Sequence, residues 1–197
     1  MRRLLFLFVT AAAALPAQQV APLAQYAAVR VAVVPVQFYQ GDSSGFVTVP
    51  AAAMRAAFDS LLSEALDERG LKGMWATPAD VQRSAKRNAP YVGDPRNLGA
   101  FAVRRGVDKD KEIPDPLASN LRRVVALHDA RYVLMPVELH ANGSKGGGNL
   151  VVRLLLVDAR LNAALWQVDL MGDRAATYSP AMLQKLAARV AELVVAP

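Results

Sequence analysis

Hydrophobic and polar positions along this chain change period several times, and each change marks an element. Val29-Arg30-Val31-Ala32-Val33-Val34-Pro35-Val36-Gln37-Phe38 is rich in β-branched residues and predicts a mostly buried strand. Gln40–Gly45 follows as a polar, turn-prone loop. From Pro50 the spacing becomes helical. Met54, Ala57, Phe58, Leu61, Leu62, Ala65 and Leu66 share one face, Arg55, Asp59, Ser63 and Asp67 occupy much of the other, and Gly70 supplies the stop. Met74-Trp75-Ala76 reads as a short strand. Thr77-Pro78-Ala79-Asp80 then opens a helix running to about Arg87, with Thr77 as cap, Pro78 in the first turn and Asp80 near the positive end of the dipole.

Pro90, Gly93 and Pro95 punctuate the next stretch, and a short helix is predicted over Arg96–Arg105, closed by Gly106. Asp108–Pro116 is a charged, proline-bounded loop. Leu117, Leu121, Val124, Val125 and His128 restore helical spacing up to about Ala130. Three strands follow. In the first, Val133, Met135, Val137 and Leu139 alternate with Leu134, Pro136, Glu138 and His140. Asn142–Asn149 reads as a flexible hairpin loop, Leu150–Val157 as a nearly all-apolar central strand, and Ala164, Trp166, Val168 and Leu170 as one face of the third. A last amphipathic helix begins at Pro180 and buries Leu183, Leu186, Ala187, Val190, Leu193 and Val194.

Late strands joined by short turns, with helices before and after, predict an α+β fold: a mixed, largely antiparallel sheet of about four strands with amphipathic helices packed on it. Pro35 and Pro136 fall inside strand patterns and each deletes a ladder donor, so each belongs at a strand end, a bulge or an edge. Trp75 and Trp166 are better placed as core than as ligand stackers.

The first seventeen residues carry an address. Met1-Arg2-Arg3 is basic, the apolar run from Leu4 to Leu15 is too short for a membrane span, and Pro16-Ala17 ends it on a small residue. The expectation is a cleaved signal peptide over 1–17, a flexible leader over 18–28 and one α+β domain over 29–197, delivered to the periplasm or secreted, with no stable membrane insertion after cleavage. The alternative is an uncleaved anchor. The sequence holds no cysteine, which excludes disulfides and lipid anchoring through a thiol. The net charge of +6 falls by two once Arg2 and Arg3 leave, and its cations are dispersed, so no nucleic-acid stripe with stacking aromatics is formed.

No constellation rises to a catalytic, cofactor or metal site, and neither cofactor nor small-molecule substrate is expected. Glu138 and His140, two apart on one strand face, are the only acid–base candidate; one histidine and one carboxylate are too few for zinc. His128 sits near a helix C-terminus, where positive charge is favoured, and reads as structural. Asp108, Asp110 and Glu112 alternate like calcium ligands, but lysines separate them and the sixth-position glycine is missing. Lys145 precedes Gly146-Gly147-Gly148, the reverse of the phosphate-loop order.

Four stretches together resemble a known pattern. An apolar strand runs into proline (Val31-Ala32-Val33-Val34-Pro35-Val36), and a helix follows over Met54–Leu66. A second helix feeds a strand (Leu121 to Leu134). A hairpin runs from Val152 to Trp166 around Asp158-Ala159-Arg160-Leu161-Asn162. This arrangement resembles the N-terminal domain of TolB and the related envelope domains of CsgG and LpoB. Asn162 stands where that hairpin usually has glycine, and asparagine also tolerates positive φ. The sequence departs from the pattern in having no lipid-anchor cysteine, no propeller domain after it, and a longer, more charged Asn88–Pro116 segment. The resemblance implies a non-catalytic envelope domain acting through protein–protein interaction or assembly, with envelope proteins as partners. The exposed loops Gln40–Gly45, Asn88–Pro116 and Asn142–Asn149 are the expected contact places. The alternatives are a small secreted enzyme using Glu138 and His140, or a binder of anionic glycan or lipid headgroups.

Overall fold

The structure is a computed structural model that describes residues 21–195; the expected signal peptide lies outside them. The described residues form six strands and four α-helices. They are β1 (Val31–Val33), β2 (Phe38–Gln40), α1 (Ala51–Glu68), β3 (Trp75–Ala76), α2 (Pro78–Arg87), α3 (Leu117–His128), β4 (Tyr132–Ser144), β5 (Gly147–Asp158), β6 (Ala163–Met171) and α4 (Pro180–Glu192). The strands form one open mixed sheet in the order β3-β1-β4-β5-β6, with β2 also pairing β4. Pairings among β1, β2, β3 and β4 are parallel, while the longer β4–β5 and β5–β6 ladders are antiparallel. The α+β class is as the sequence predicts. The strand count is six rather than about four: the Val29–Phe38 run contributes to two strands instead of one, and the short strand expected at Met74–Ala76 joins the same sheet as Trp75–Ala76.

That division has a local cause. Pro35 cannot donate to a ladder, and the Val36 N–H turns to Asp59 instead. Regular pairing therefore lapses between Val34 and Gln37, whose own N–H groups still reach the Leu134 and Pro136 carbonyls, before β2 resumes beside the same neighbour. Opposite the gap, β4 carries a bulge between Pro136 and Glu138. The extra residue reverses the alternation. Val133, Met135 and Val137 face one layer, but Leu139 turns to the other, beside Leu134. The expected single face through Leu139 is therefore corrected, and Glu138 and His140 change sides with it.

Each face of the sheet buries a separate core. On one, α1 and α4 pack Phe58, Leu62, Leu66, Leu186 and Val190 against Val33, Leu134, Leu154 and Leu156. On the other, α2, α3 and a short 3-10 turn at Ala100–Val103 pack Val81, Leu117, Leu121 and Val103 against Val133, Met135, Leu155 and Val157. That turn is all that forms of the helix expected over Arg96–Arg105. Helix α2 starts as its sequence requires, with Thr77 and Asp80 forming a reciprocal capping box behind Pro78.

Two segments expected to be flexible are fixed. Within the leader, Leu23 is buried, its N–H donates to the Leu193 carbonyl at 2.7 Å, and the Trp75 indole N–H donates to the Tyr26 carbonyl at 3.0 Å. The glycine-rich stretch 142–149 is mostly strand, leaving Lys145-Gly146 as the turn between β4 and β5. Its glycines permit close approach rather than mobility. A Cβ at Gly148 would stand 2.6 Å from the Asn142 carbonyl and 2.8 Å from the Phe46 ring. Trp75 is fully buried, as expected of a core residue, whereas Trp166 is only half-buried against the α1/α4 core.

Candidate interaction surface

The helices cover only part of the second sheet face. Core residues on that side end at Val137 on β4 and begin at Leu155 on β5. Toward the β4–β5 turn the same face shows Phe38, Glu138, His140, Arg153 and Asp169, and Phe101 of the 100–103 turn stands over its border. Phe101 is 70% exposed although its ring centroid is 4.9 Å from that of Phe38. The Arg104 guanidinium lies over the Phe38 ring at 4.8 Å, a cation–π stack.

Charge on this surface is arranged in interlocked pairs. Arg104 Nε and Nη2 both donate to Glu138 Oε1, at 2.9 and 2.5 Å. Arg153 donates to the two carboxylate oxygens of Asp169 at 2.7 and 2.6 Å and, through Nη1, to the Arg104 carbonyl at 2.7 Å. The Arg153 bond, aided by the nearby His140 and against a smaller effect of burial, holds the Asp169 carboxyl below its usual range. The Arg153–Asp169 pair is a two-oxygen fork, a geometrically specific arrangement, whereas Arg104 converges on one oxygen of Glu138.

A second set of buried polar contacts fixes the segment that presents Phe101. Asp59 of α1, only 2% exposed, accepts from the Val36 N–H at 2.9 Å and from Arg96 Nε and Nη2 at 3.2 and 2.8 Å. Gln37 donates its side-chain amide to the carbonyls of Pro35 and Pro95 and accepts from the Leu98 N–H at 3.0 Å. Asn120 of α3 donates to the Leu98 carbonyl. Burial raises the Asp59 carboxyl's affinity for a proton, and the Val36 N–H and Arg96 only partly reverse that. Helical spacing sets Asp59 and Ser63, with Arg55 and Asp67, on the face opposite the apolar stripe. Asp59 and Ser63 are buried, because their side of α1 meets the Val34–Gln37 crossing and α2. Arg55 and Asp67 continue the same i, i+4 row, so the spacing alone does not single the two out.

The acid–base candidate is not assembled. Glu138 is 7% exposed and held by Arg104, and no hydrogen bond joins it to His140 among the described residues. His128 is half-buried at the end of α3; burial lowers its pKa against the smaller opposing effect of Asp80, so it favours the neutral form rather than the cation the helix end would attract. The alternating acids Asp108, Asp110 and Glu112 do not converge: Lys111 pairs with Asp108, and the main chain at Glu112 bridges Ala163 of β6. Among the described residues no group of three or more His, Cys, Asp or Glu could hold a metal ion. Arg30, Lys72, Arg83 and Arg87 line an open cavity of about 590 Å³, but Asp129, Asp67 and Asp80 pair with the first three. No helix among the described residues is long and apolar enough to cross a membrane.

No protein-family model matches the chain, and neither does any curated protein sequence. Solved structures do match. The chain is similar to the PelC dodecamer from Paraburkholderia phytofirmans at 16% identity, over 88% of this chain and 91% of that one, with a TM-score of 0.43. It is similar to E. coli LpoB at 14% identity, over 88% of this chain and 80% of that one, with a TM-score of 0.41. To the lipoprotein GNA1162 from Neisseria meningitidis the identity is 15%, over 82% and 94% of the two chains, with a TM-score of 0.39.

Proposed function

We propose that this chain is an exported domain of the bacterial cell envelope that works by binding other proteins. The observation that carries the reading is Phe101, exposed at the border of the half of the second sheet face that no α-helix covers. An exposed phenylalanine, a second aromatic ring beneath it and an arginine stacked on that ring form the kind of anchor on which protein contacts concentrate. The surrounding ion pairs satisfy their own charges, so an incoming surface meets aromatic area and geometry rather than a free nucleophile or base. Export rests on the basic start, short apolar run and small-residue end of residues 1–17.

Two measurements test this. A photo-crosslinking amino acid in place of Phe101, in the native bacterium, should give an adduct with an envelope protein, while the same group at Tyr91, another exposed aromatic, should not. Equal labelling at both positions, or none at Phe101, would refute the contact surface. N-terminal sequencing of the exported protein should begin at Gln18; cytosolic protein retaining Met1 would refute export.

A further inference from the structure

Strand β6 closes one edge of the sheet, and most of that edge is open. Residues 110–113 cover its start: Asp110 N–H donates to the Ala164 carbonyl at 2.7 Å, Ala164 N–H to the Lys111 carbonyl at 3.0 Å, and Ile113 N–H to the Asn162 carbonyl at 2.6 Å. A bulge opposite Leu156 and Val157 then shifts the alternation. Beyond it, the Gly172 N–H donates to the Leu150 carbonyl at 2.7 Å, which makes that a bonded pair. Bonded and unbonded pairs alternate in an antiparallel ladder. Val152/Leu170 and Leu154/Val168 are therefore bonded too, and Gln167, Asp169 and Met171 turn their N–H and C=O groups outward. Arg189 Nη1 takes the Met171 carbonyl at 2.7 Å. Among the described residues the outward N–H groups of all three, and the carbonyls of Gln167 and Asp169, have no backbone partner.

Sheet edges are ordinarily guarded by lysine, proline, a bulge or shortness. The opposite edge, β3, is two residues long. From Trp166 to Met171 there is no lysine, no proline and no bulge, and the one charge, Asp169, is already neutralised by Arg153. We propose that this edge pairs with the same edge of a second copy of this chain, antiparallel about a two-fold axis at Val168. The inference rests on the reading of this chain as one that works through protein contact, and it names one such partner.

The register follows from the side chains. Centred on Val168, Gln167 exchanges both main-chain bonds with Asp169 of the second copy, and Asp169 with Gln167, four bonds in all by ladder geometry. Half-buried Trp166 and Leu170 then lie opposite each other, extending the apolar layer beneath α4 across the axis. Centring on Asp169 would set two carboxylates directly opposite, which is unfavourable. Centring on Leu170 would need the Met171 carbonyl that Arg189 already occupies.

The absence of cysteine makes the test clean. At an unbonded pair Cα atoms approach to about 4.5 Å, within disulfide range. Val168→Cys, oxidised with glutathione, should give a covalent dimer; Leu170→Cys, on the same sheet face but facing Trp166 of the second copy, should not. Sedimentation of the chain from Gln18 should give twice the monomer mass. Asp169→Pro, which removes an outward N–H, should give the monomer, and Asp169→Asn, which keeps it, should stay dimeric. A monomer at every concentration, crosslinking through Leu170→Cys, or a dimer persisting in a folded Asp169→Pro would each overturn the proposal. Should Asp169→Pro fail to fold, the cysteine pair decides. A dimer without any adduct at position 101 would leave this inference standing and sink the envelope contact surface, and the converse result would separate them the other way.

Discussion

Replacing Asp59 with alanine tests how the Phe101 segment is held in place. The carboxylate is almost wholly buried and receives the Val36 N–H and two nitrogens of Arg96. Its removal leaves the Val36 N–H without an acceptor in the interior, a cost of about 1–3 kcal/mol. The Arg96 side chain is 32% exposed and can turn to water, so its stranded charge adds little beyond the lost bonds. A total of about 2–3 kcal/mol is expected, which for a chain of this size lowers the melting temperature by roughly 4–12 °C. Asp59→Asn keeps an oxygen for Val36 and gives up the charge-assisted bonds to Arg96, so it should cost only about 1 kcal/mol. Urea unfolding, followed through the buried Trp75, measures both, with the midpoint falling and the slope unchanged. Amide exchange at Leu98, whose N–H is held by Gln37 in the same assembly, should quicken in the alanine variant. An alanine midpoint equal to the parent's, or an asparagine variant as damaged as alanine, would refute the account of Asp59 as the anchor.

Further outcomes follow from other buried contacts. Burial pushes the Asp158 carboxyl upward, but Arg131 and the N–H groups of Leu161 and Arg160 outweigh it and its pKa is lowered. A carboxyl depressed on folding stabilises above its unfolded value, near 4, and loses that contribution as pH falls through the folded value; the stability gap between the parent and Asp158→Asn should therefore be full at neutral pH and shrink in acid. A gap independent of pH would contradict the pairing. Gly148→Ala forces a methyl against Phe46 and the Asn142 carbonyl and should cost about 1–3 kcal/mol in thermal unfolding; a neutral effect would show that the turn is loose. Trp75→Ala should cost about 3–5 kcal/mol and Trp166→Ala distinctly less, because only the former is fully enclosed. Equal midpoints in urea would overturn that ranking.

The sequence by itself determined the elements whose signal is local. The apolar stripes of α1, α3 and α4, the Thr77 capping box, the three late strands and the asparagine at the β5–β6 turn, where Asn162 adopts φ +53°, are set by side-chain period and by residue-specific backbone preference. Tertiary structure decided what depends on neighbours distant in the chain. The bulge after Pro136 moved Glu138 and His140 to the other face and gave Glu138 to Arg104, thirty-four residues away. Asp59 and Ser63 became interior residues because a strand crossing and a helix happened to meet them. The glycines of the β4–β5 hairpin, like the docked leader, took their role from surfaces that arrive only once the chain has folded. Period and propensity act over a turn or two, whereas burial, ion pairing and an unpaired sheet edge are properties of what the rest of the chain brings alongside.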